Sequence, residues 1–526
     1  MPKFYVTDAI DYANGTPHLG HAYEKVVTDC IARAHRQAGF ATYFLLGTDE
    51  HGIKVQRAAE KAGVPPQQYV DGIVAEFARA WDALRIEPDQ FIRTTDPRHV
   101  VAVHALFERA YAAGDVYERE YEGLYCQGCE AFYLEKDLVD GKCPIHGTVP
   151  ETVKEKNFFF RLSKYAQPLL DHIARHPGFI EPDYRRNEVV NVIKGGLEDI
   201  SISRAAVSWG LPMPPSIPGA AGQTIYVWFE ALINYLTAIG YPDERYREWW
   251  CGDDGKSPNA LHVIGKDISR FHCITWPAML MSAGIPVARS AYVHGFIYAR
   301  GVKLSKSLGN QIDPLATSER FGADALRWYL AREIAFGADG DFTWERFIER
   351  YNVDLANDYG NLLSRSCSML HKYRNGVVPG AWSPGELEEE LVALASSSAR
   401  DVRAAWARLQ PSEALAAAWA LVARANRYVE ETKPWVLAKA GDGERLDTVL
   451  ATLLEVGRLA SRWAWPAIPT KSEEAWAGLA LPGAPGDAAP ELDTWFAGGT
   501  KPLNAGTTLP PVTILFPRVD PATLEV

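Results

Sequence analysis

The stretch Ala13-Asn14-Gly15-Thr16-Pro17-His18-Leu19-Gly20-His21-Ala22 decides how the chain is read. Upstream, Phe4-Tyr5-Val6-Thr7-Asp8-Ala9-Ile10 is apolar enough for a buried or half-buried strand. Downstream, Val26, Val27, Cys30, Ile31 and Ala34 recur at helical spacing up to Gly39, a suitable C-terminal stop. The stretch is therefore a strand-to-helix turn, bent by glycine and proline. His18 and His21 stand at the helix start, where unbonded N–H groups and the positive end of the dipole suit phosphate. A loop with two incidental histidines would read the same way, so other segments must decide.

Working outward, residues 1–115 alternate strands and helices. Ala41-Thr42-Tyr43-Phe44-Leu45-Leu46-Gly47-Thr48-Asp49 is a second strand, and helices are predicted around 53–63, 67–84 and 97–113. Such alternation predicts an α/β fold: a doubly wound parallel sheet with helices on both faces. Residues 116–220 carry short strand-like pieces with Cys and Gly, ending near the proline-rich 211–215. Strand–helix alternation resumes over 221–310, with strands at Ala260-Leu261-His262-Val263-Ile264-Gly265 and Ser290-Ala291-Tyr292-Val293-His294-Gly295. The stretch 116–220 thus reads as an insertion splitting one domain. Residues 311–350 form a connector, and 351–465 an all-α bundle. Residues 475–511 read as irregular, and the apolar 511–517 should bring the C-terminal segment 466–526 back onto the body.

The 526 residues are 47% hydrophobic and 23% charged, as in a soluble globular protein of several domains. No apolar run is long enough for a membrane span, and Met1-Pro2-Lys3-Phe4 enters a strand without a signal-peptide pattern. Seven cysteines, three of them clustered with a histidine, predict a reducing cytoplasm and a metal site instead of a disulfide framework. A net charge of −12 argues against broad nonspecific nucleic-acid binding but allows one local basic face.

Two more stretches carry chemistry. Cys126 and Cys129 are followed after thirteen residues by Cys143 and His146. Two such pairs fit one tetrahedral Zn²⁺ whose four positions are all filled, hence a structural site. Gly301-Val302-Lys303-Leu304-Ser305-Lys306-Ser307-Leu308-Gly309-Asn310 is cationic and rich in donors. It can close over a triphosphate, although a solvated basic loop has the same composition.

Together, Pro-His-Leu-Gly-His at 17–21 and Lys-Leu-Ser-Lys-Ser at 303–307 resemble the HIGH and KMSKS signatures of class I aminoacyl-tRNA synthetases. The zinc-knuckle insertion, the split Rossmann-like domain and the helical C-terminal part resemble methionyl-tRNA synthetases within that class, over residues 1 to about 465. The resemblance implies a ligase that makes methionyl-adenylate from L-methionine and ATP with Mg²⁺, then charges tRNA(Met). It implies ATP-binding and catalytic roles for His18, His21, Lys303 and Lys306, with Gly20 making room for adenine and Ser305 on the ATP. Asp49 would hold the methionine ammonium group. Ile10, Tyr12, Trp228, Ala231, Leu232, Tyr235, Ile268 and His272 would line the amino-acid pocket. Residues 228, 231, 232 and 235 have the spacing of one helix face, which in isolation is also an ordinary core stripe. A thioether offers mainly dispersion and weak hydrogen bonding, so an aromatic box is the available means of selection. Such pockets discriminate by only about 1–3 kcal/mol per methylene, and the family accordingly edits homocysteine by cyclising it.

Asn357, Asn361 and Arg365 share four-residue spacing, and Trp435 follows Pro434. Amides, a guanidinium and an indole can read and stack on unpaired bases, and the resemblance assigns them the CAU anticodon. Asp11 stands where many members have proline, and Leu replaces Ile and Met in the two signatures. The chain lacks the appended tRNA-binding domain through which some members dimerise, which implies a monomer. Two rivals remain at this level: another class I synthetase, and a non-catalytic tRNA-binding relative. The isoleucine, valine and leucine enzymes carry larger insertions than 116–220, the cysteine enzyme holds zinc in its active site, and the intact signatures argue against a dead relative.

Overall fold

A computed structural model describes the chain except residues 127–130, 134, 145–146, 206, 304–311 and 524–526, and except the side chains of 121–122, 131–132, 136, 153–155, 303 and 523. Seven parallel strands make the central sheet: β1 (Lys3–Asp8), β2 (Asp11–Tyr12), β3 (Ala41–Asp49), β4 (Gln90–Arg93), β5 (Ile180–Glu181), β6 (Ala260–Gly265) and β7 (Ser290–His294). Their order is β2-β3-β1-β6-β7-β5, with β4 beside β3. Tyr5, Val6, Leu45, Leu261, Val263, Ile264 and Val293 have no more than 1% exposure. Such unbroken apolar runs are what a sheet covered on both faces requires.

Strand order fixes where a ligand can sit. β1 pairs with β3 on one side and with β6 on the other, in register Tyr5↔Ala260 to Asp8↔Val263. Connections leave these two central strands in opposite directions, which opens a crevice at their carboxyl ends.

The insertion forms its own antiparallel sheet. Val116–Cys126 pairs with Glu151–Phe160 from Val116↔Phe160 to Tyr125↔Glu151, flanked by Ala131–Tyr133 and Ile200–Ser201. Ile180–Glu181, inside the stretch read as insertion, instead pairs with β7 as an edge strand of the central sheet. Two residues carry no periodicity, so only the burial of Phe179 and Ile180 marks the return.

Six helices from Asn361–Arg374 to Pro469–Gly478 make the C-terminal half. The last of them runs into the stretch expected to be irregular from 475. Of residues 511–517 only Leu515 and Phe516 are buried, Phe516 against Tyr351 and Tyr359, and the others are exposed. Asn352 and Val519 exchange two hydrogen bonds of 2.8 and 3.0 Å there.

Helix Leu19–Gln37 lies between the sheet and this helical half, in one continuous apolar core that also holds Trp328, Leu421 and Leu459. Its polar residues are therefore paired internally. Asp29 accepts from Arg33 Nε at 2.7 Å and from Arg327 Nη2 at 2.6 Å. These guanidiniums hold the Asp29 carboxyl below its usual range against the opposing effect of burial. Arg327 also donates to the Pro466 and Ala467 carbonyls at 2.8 and 3.0 Å. Asp29→Ala should lower stability by about 3–5 kcal/mol, because Arg327 loses its carboxylate in a dry site and Arg33 keeps only the half-exposed Glu87 at 3.1 Å. Chemical denaturation reads this loss, and the exposed control Arg98→Ala should shift by under about 1 kcal/mol. An unchanged midpoint in Asp29→Ala would show the clamp to be idle.

Candidate active site

A cavity of about 1390 Å³ opens at the carboxyl ends of the strands. From the first half of the sheet it takes Ile10, Tyr12, Gly20, His21 and Asp49, and from the second Trp228, Ala231, Leu232, Tyr235, Ile268 and His272. Residues separated by more than 200 positions in the sequence thus face one space. β2 carries Tyr12 to the end of β3, where it stands opposite Asp49, and the Ala13 N–H donates to the Asp49 carbonyl at 2.8 Å. Gly47 permits this approach: a Cβ there would lie 2.9 Å from Ile10 Cγ2 and 2.3 Å from the Ile92 carbonyl oxygen.

At the helix start, His18 is the N-cap. Its Nδ1 accepts from the Gly20 N–H at 3.1 Å, and its own N–H donates to His21 Nδ1 at 3.2 Å. This is a capping box built from imidazoles in place of Ser and Glu. The two rings stack with centroids 3.8 Å apart. Gly20 is needed for that packing, since a Cβ would come within 2.9 Å of the His18 ring. Gly20 also lines the cavity.

The segment expected as one helix face is two short helices, Val227–Ala231 and Asn234–Thr237, joined through Leu232 and Ile233. Leu232 and Ile233 between them keep right-handed helical backbone angles, and the Tyr235 hydroxyl lies 2.7 Å from His272 Nε2. Nδ1 of His272 lies 3.2 Å from the Ile268 carbonyl, which can only accept. Nδ1 therefore carries the proton, and Nε2 accepts from Tyr235. Burial depresses His272 to about 4 and so keeps it neutral. Trp228 stacks on Phe271 at 4.2 Å and 6°, forming an aromatic wall. Behind it, Glu230 is fully buried between His51 (2.9 Å) and His99 (2.7 Å).

A charged floor escaped the reading of the sequence. Lys25 Nζ lies 2.9 Å from Asp11 Oδ1, 3.0 Å from Glu24 Oε1, 3.8 Å from Asp8 Oδ1 and 2.8 Å from the Ala9 carbonyl oxygen. Glu24 also pairs with His294 Nε2 at 2.6 Å. Burial would lower the Lys25 ammonium, but the three carboxylates push it well up. Burial and the Glu24 charge push the Asp8 carboxyl up, and burial raises Asp11 to about 6. The one available signal was Glu24-Lys25 interrupting the apolar stripe around Ala22 and Val26.

The remaining expected residues lie elsewhere. Lys303 ends the short strand Val302–Lys303 opposite Tyr298, with its side chain outside the description, and Ser305 and Lys306 lie outside the described residues. Cys126 and Cys143 are buried on either side of Thr148: Cys126 Sγ lies 3.9 Å from its Oγ1, and the Cys143 N–H donates to its carbonyl at 2.8 Å. Cys129 and His146 lie outside the described residues, so only two of the four expected ligands are described. Asn357 belongs to a π-helical segment, Tyr351–Gly360, and Asn361 begins an α-helix. The i→i+5 turns before Asn361 replace the single α-helix expected over these positions, but a four-residue step stays close to one full turn in either geometry, so 357, 361 and 365 can still share a face. Asn357 and Asn361 are exposed, and Arg365 pairs with Glu430 at 2.8 Å. That pair brings helix Asn361–Arg374 beside the end of Pro411–Thr432, five residues before Trp435, which is 40% exposed.

Residues 4–148 and 133–367 match the family described as tRNA synthetases class I (M). Methionine–tRNA ligase of Caldanaerobacter subterraneus is 44% identical over 521 residues, covering 98% of this chain and 79% of that protein. Methionine–tRNA ligase of Brucella suis is 43% identical over 523 residues, covering 98% of each. The structure of Mycobacterium tuberculosis methionyl-tRNA synthetase in complex with methionyl-adenylate superposes with a TM-score of 0.91 at 42% identity, covering 98% of this chain and 100% of that one. With this agreement along nearly its whole length, and with the cavity formed at the switch point of its sheet, the chain belongs to the methionyl-tRNA synthetases, a family of class I aminoacyl-tRNA synthetases.

Proposed function

We propose that the chain attaches L-methionine to tRNA(Met) in two steps. In the first, a methionine carboxylate oxygen attacks the α-phosphorus of ATP in line. The new O–P bond gives methionyl-adenylate, and the bond to the β-phosphate oxygen breaks to release pyrophosphate. In the second, a ribose hydroxyl at the tRNA 3′ end attacks the adenylate carbonyl and AMP leaves. No protein nucleophile is required, so catalysis is positioning and charge stabilisation. The observation that carries the reading is the cavity shared by Gly20 and His21 at the helix start that His18 caps, by Asp49 and by the Tyr235–His272 pair.

In this reading His18 and His21, with the N-terminal amides of helix Leu19–Gln37, face the triphosphate. Lys303, Ser305 and Lys306 close on it from the loop beyond β7. Asp49 pairs with the methionine ammonium group. Ile10, Tyr12, Trp228, Ala231, Leu232 and Ile268 enclose the side chain. Because the Tyr235 proton is directed to His272, the hydroxyl oxygen faces the thioether with a fixed polarity. Mg²⁺ arrives with ATP and offsets phosphate charge.

Residues 1–115 and 221–310 are the catalytic halves in this reading, and 116–220 is the inserted module, with Ile180–Glu181 returned to the sheet. Cys126, Cys129, Cys143 and His146 would hold one structural Zn²⁺. Three thiols and an imidazole suit that ion, and two of the thiols are buried around one residue. The connector 311–350 leads to an anticodon-reading bundle at 351–465, followed by the C-terminal segment 466–526. Asn357, Asn361, Arg365 and Trp435 meet the anticodon there, supported by the two exposed amides and indole on neighbouring helices. The enzyme works as a cytoplasmic monomer. All six cysteines among the described residues are unpaired and buried, which suits a reducing compartment. No described helix is long and apolar enough to cross a membrane.

Pyrophosphate exchange should proceed with methionine and not with isoleucine, valine or cysteine. Exchange with a different amino acid, or with none, would overturn the reading. Trp435→Ala should leave exchange within about twofold but slow tRNA charging by roughly 5- to 100-fold, the range expected for one lost base stack of about 1–3 kcal/mol. Equal losses in both assays would remove the indole from the anticodon. The depressed His272 predicts a pH dependence with a definite sign. An unfolded histidine gains its proton near 6.5, whereas His272 in the fold resists until about 4. Its contribution to stability is therefore intact above 6.5 and is lost as the pH falls from 6.5 towards 4. Methionine affinity, followed by tryptophan fluorescence, should be flat from pH 8 to 5.5, and a midpoint near 6.5 removed by His272→Phe would contradict the buried neutral ring.

A further inference from the structure

Lys25 is 2% exposed and sits one helical turn beyond His21. A buried lysine is expensive, and a well-packed apolar residue of similar volume is often the more stable choice. What an ammonium adds is direction. β1 ends at Asp8, and the chain then leaves the sheet until β2 begins at Asp11. Where the ladder stops, the Ala9 carbonyl needs a donor, and Lys25 Nζ supplies one at 2.8 Å. The same ammonium reaches Asp11 Oδ1 at 2.9 Å, on the far side of Ile10. Glu24 Oε1 at 3.0 Å fixes the ammonium from its own helix, and Glu24 is held in turn by His294 at the end of β7. Asp8, Asp11 and Glu24 converge as carboxylates do around a divalent cation, but the built-in ammonium already fills that position.

We propose that Lys25 is a positioning residue for amino-acid activation: it fastens the bend at residues 9–12 to the helix that begins with His18 and His21. The bend carries Ile10 and Tyr12, and the helix start carries the phosphate-facing imidazoles. One ammonium therefore sets the distance between the two substrates' sites, the quantity on which an in-line attack depends. The inference rests on the reading of the cavity as the site of methionyl-adenylate formation.

The test is pyrophosphate exchange by the full-length protein, with kcat and KM measured separately for methionine and ATP. Wild-type exchange with methionine must be seen first; its absence counts against the functional reading and not against Lys25 alone. Lys25→Met keeps the volume and removes the donors. It should lower kcat/KM for methionine by roughly 100-fold, as a misplacement of about an ångström does. Lys25→Arg, which keeps charge and donors, should recover at least a tenth of the wild-type value. Asp11→Asn weakens only the contact with the bend and should raise the methionine KM by roughly 3- to 10-fold, with the ATP KM within about twofold. A residue with only a structural role would lower the thermal midpoint and leave these constants unchanged at 25 °C. Unchanged constants in Lys25→Met would overturn the proposal. Should Lys25→Met not fold, an unchanged methionine KM in Asp11→Asn would overturn it equally.

Discussion

A helix that carries Glu24, Lys25, Asp29 and Arg33 and keeps all four out of water must find each charge a partner inside the protein. Helix Leu19–Gln37 is in that position because the sheet covers one side and the helical half covers the other. Its two charged levels do different work. Glu24 and Lys25 face the carboxyl ends of the strands and join the bend after β1. Asp29 and Arg33 face the far half of the chain, where Arg327 completes the pairing. Substrate pocket and domain junction therefore share one rigid rod.

The chemistry follows from how little the fold leaves free. Tyr235 donates to His272, which donates to Ile268, so the hydrogen-bond polarity at the aromatic end of the cavity is settled before any ligand enters. The stacked imidazoles of His18 and His21 are likewise set by the helix start itself, with Gly20 giving them room. Preorganised groups of this kind cost no reorganisation when charge develops.

What could be read in the sequence was local in origin. The strand ending near Ile10, the turn with its two histidines and the helix behind it are encoded by neighbours, so they were legible. The zinc-type spacing was legible for the same reason. Trp228, Ala231, Leu232 and Tyr235 all line the cavity, on two short helices joined through Leu232 and Ile233 instead of one helix. The spacing of Asn357, Asn361 and Arg365 was read as one α-helix, whereas residues 351–360 are π-helical and the α-helix begins at Asn361. The two-residue β5 had no local signal, and the floor around Lys25 had only Glu24-Lys25 breaking an apolar stripe. Glu-Lys on a helix reads as a wet face until tertiary contacts bury it.

Arg327 has its acceptors at Pro466 and Ala467, some 140 positions further along the chain. During synthesis the sheet strands, the two signature segments and Arg327 itself leave the ribosome well before those carbonyls exist. Until then the guanidinium has Asp29 and the Leu84 carbonyl but an open side towards water. Completion of this buried pairing therefore waits on the segment just after helix Gly443–Ala464. A chain ending between residues 327 and 465 would hold Arg327 without its Pro466 and Ala467 acceptors.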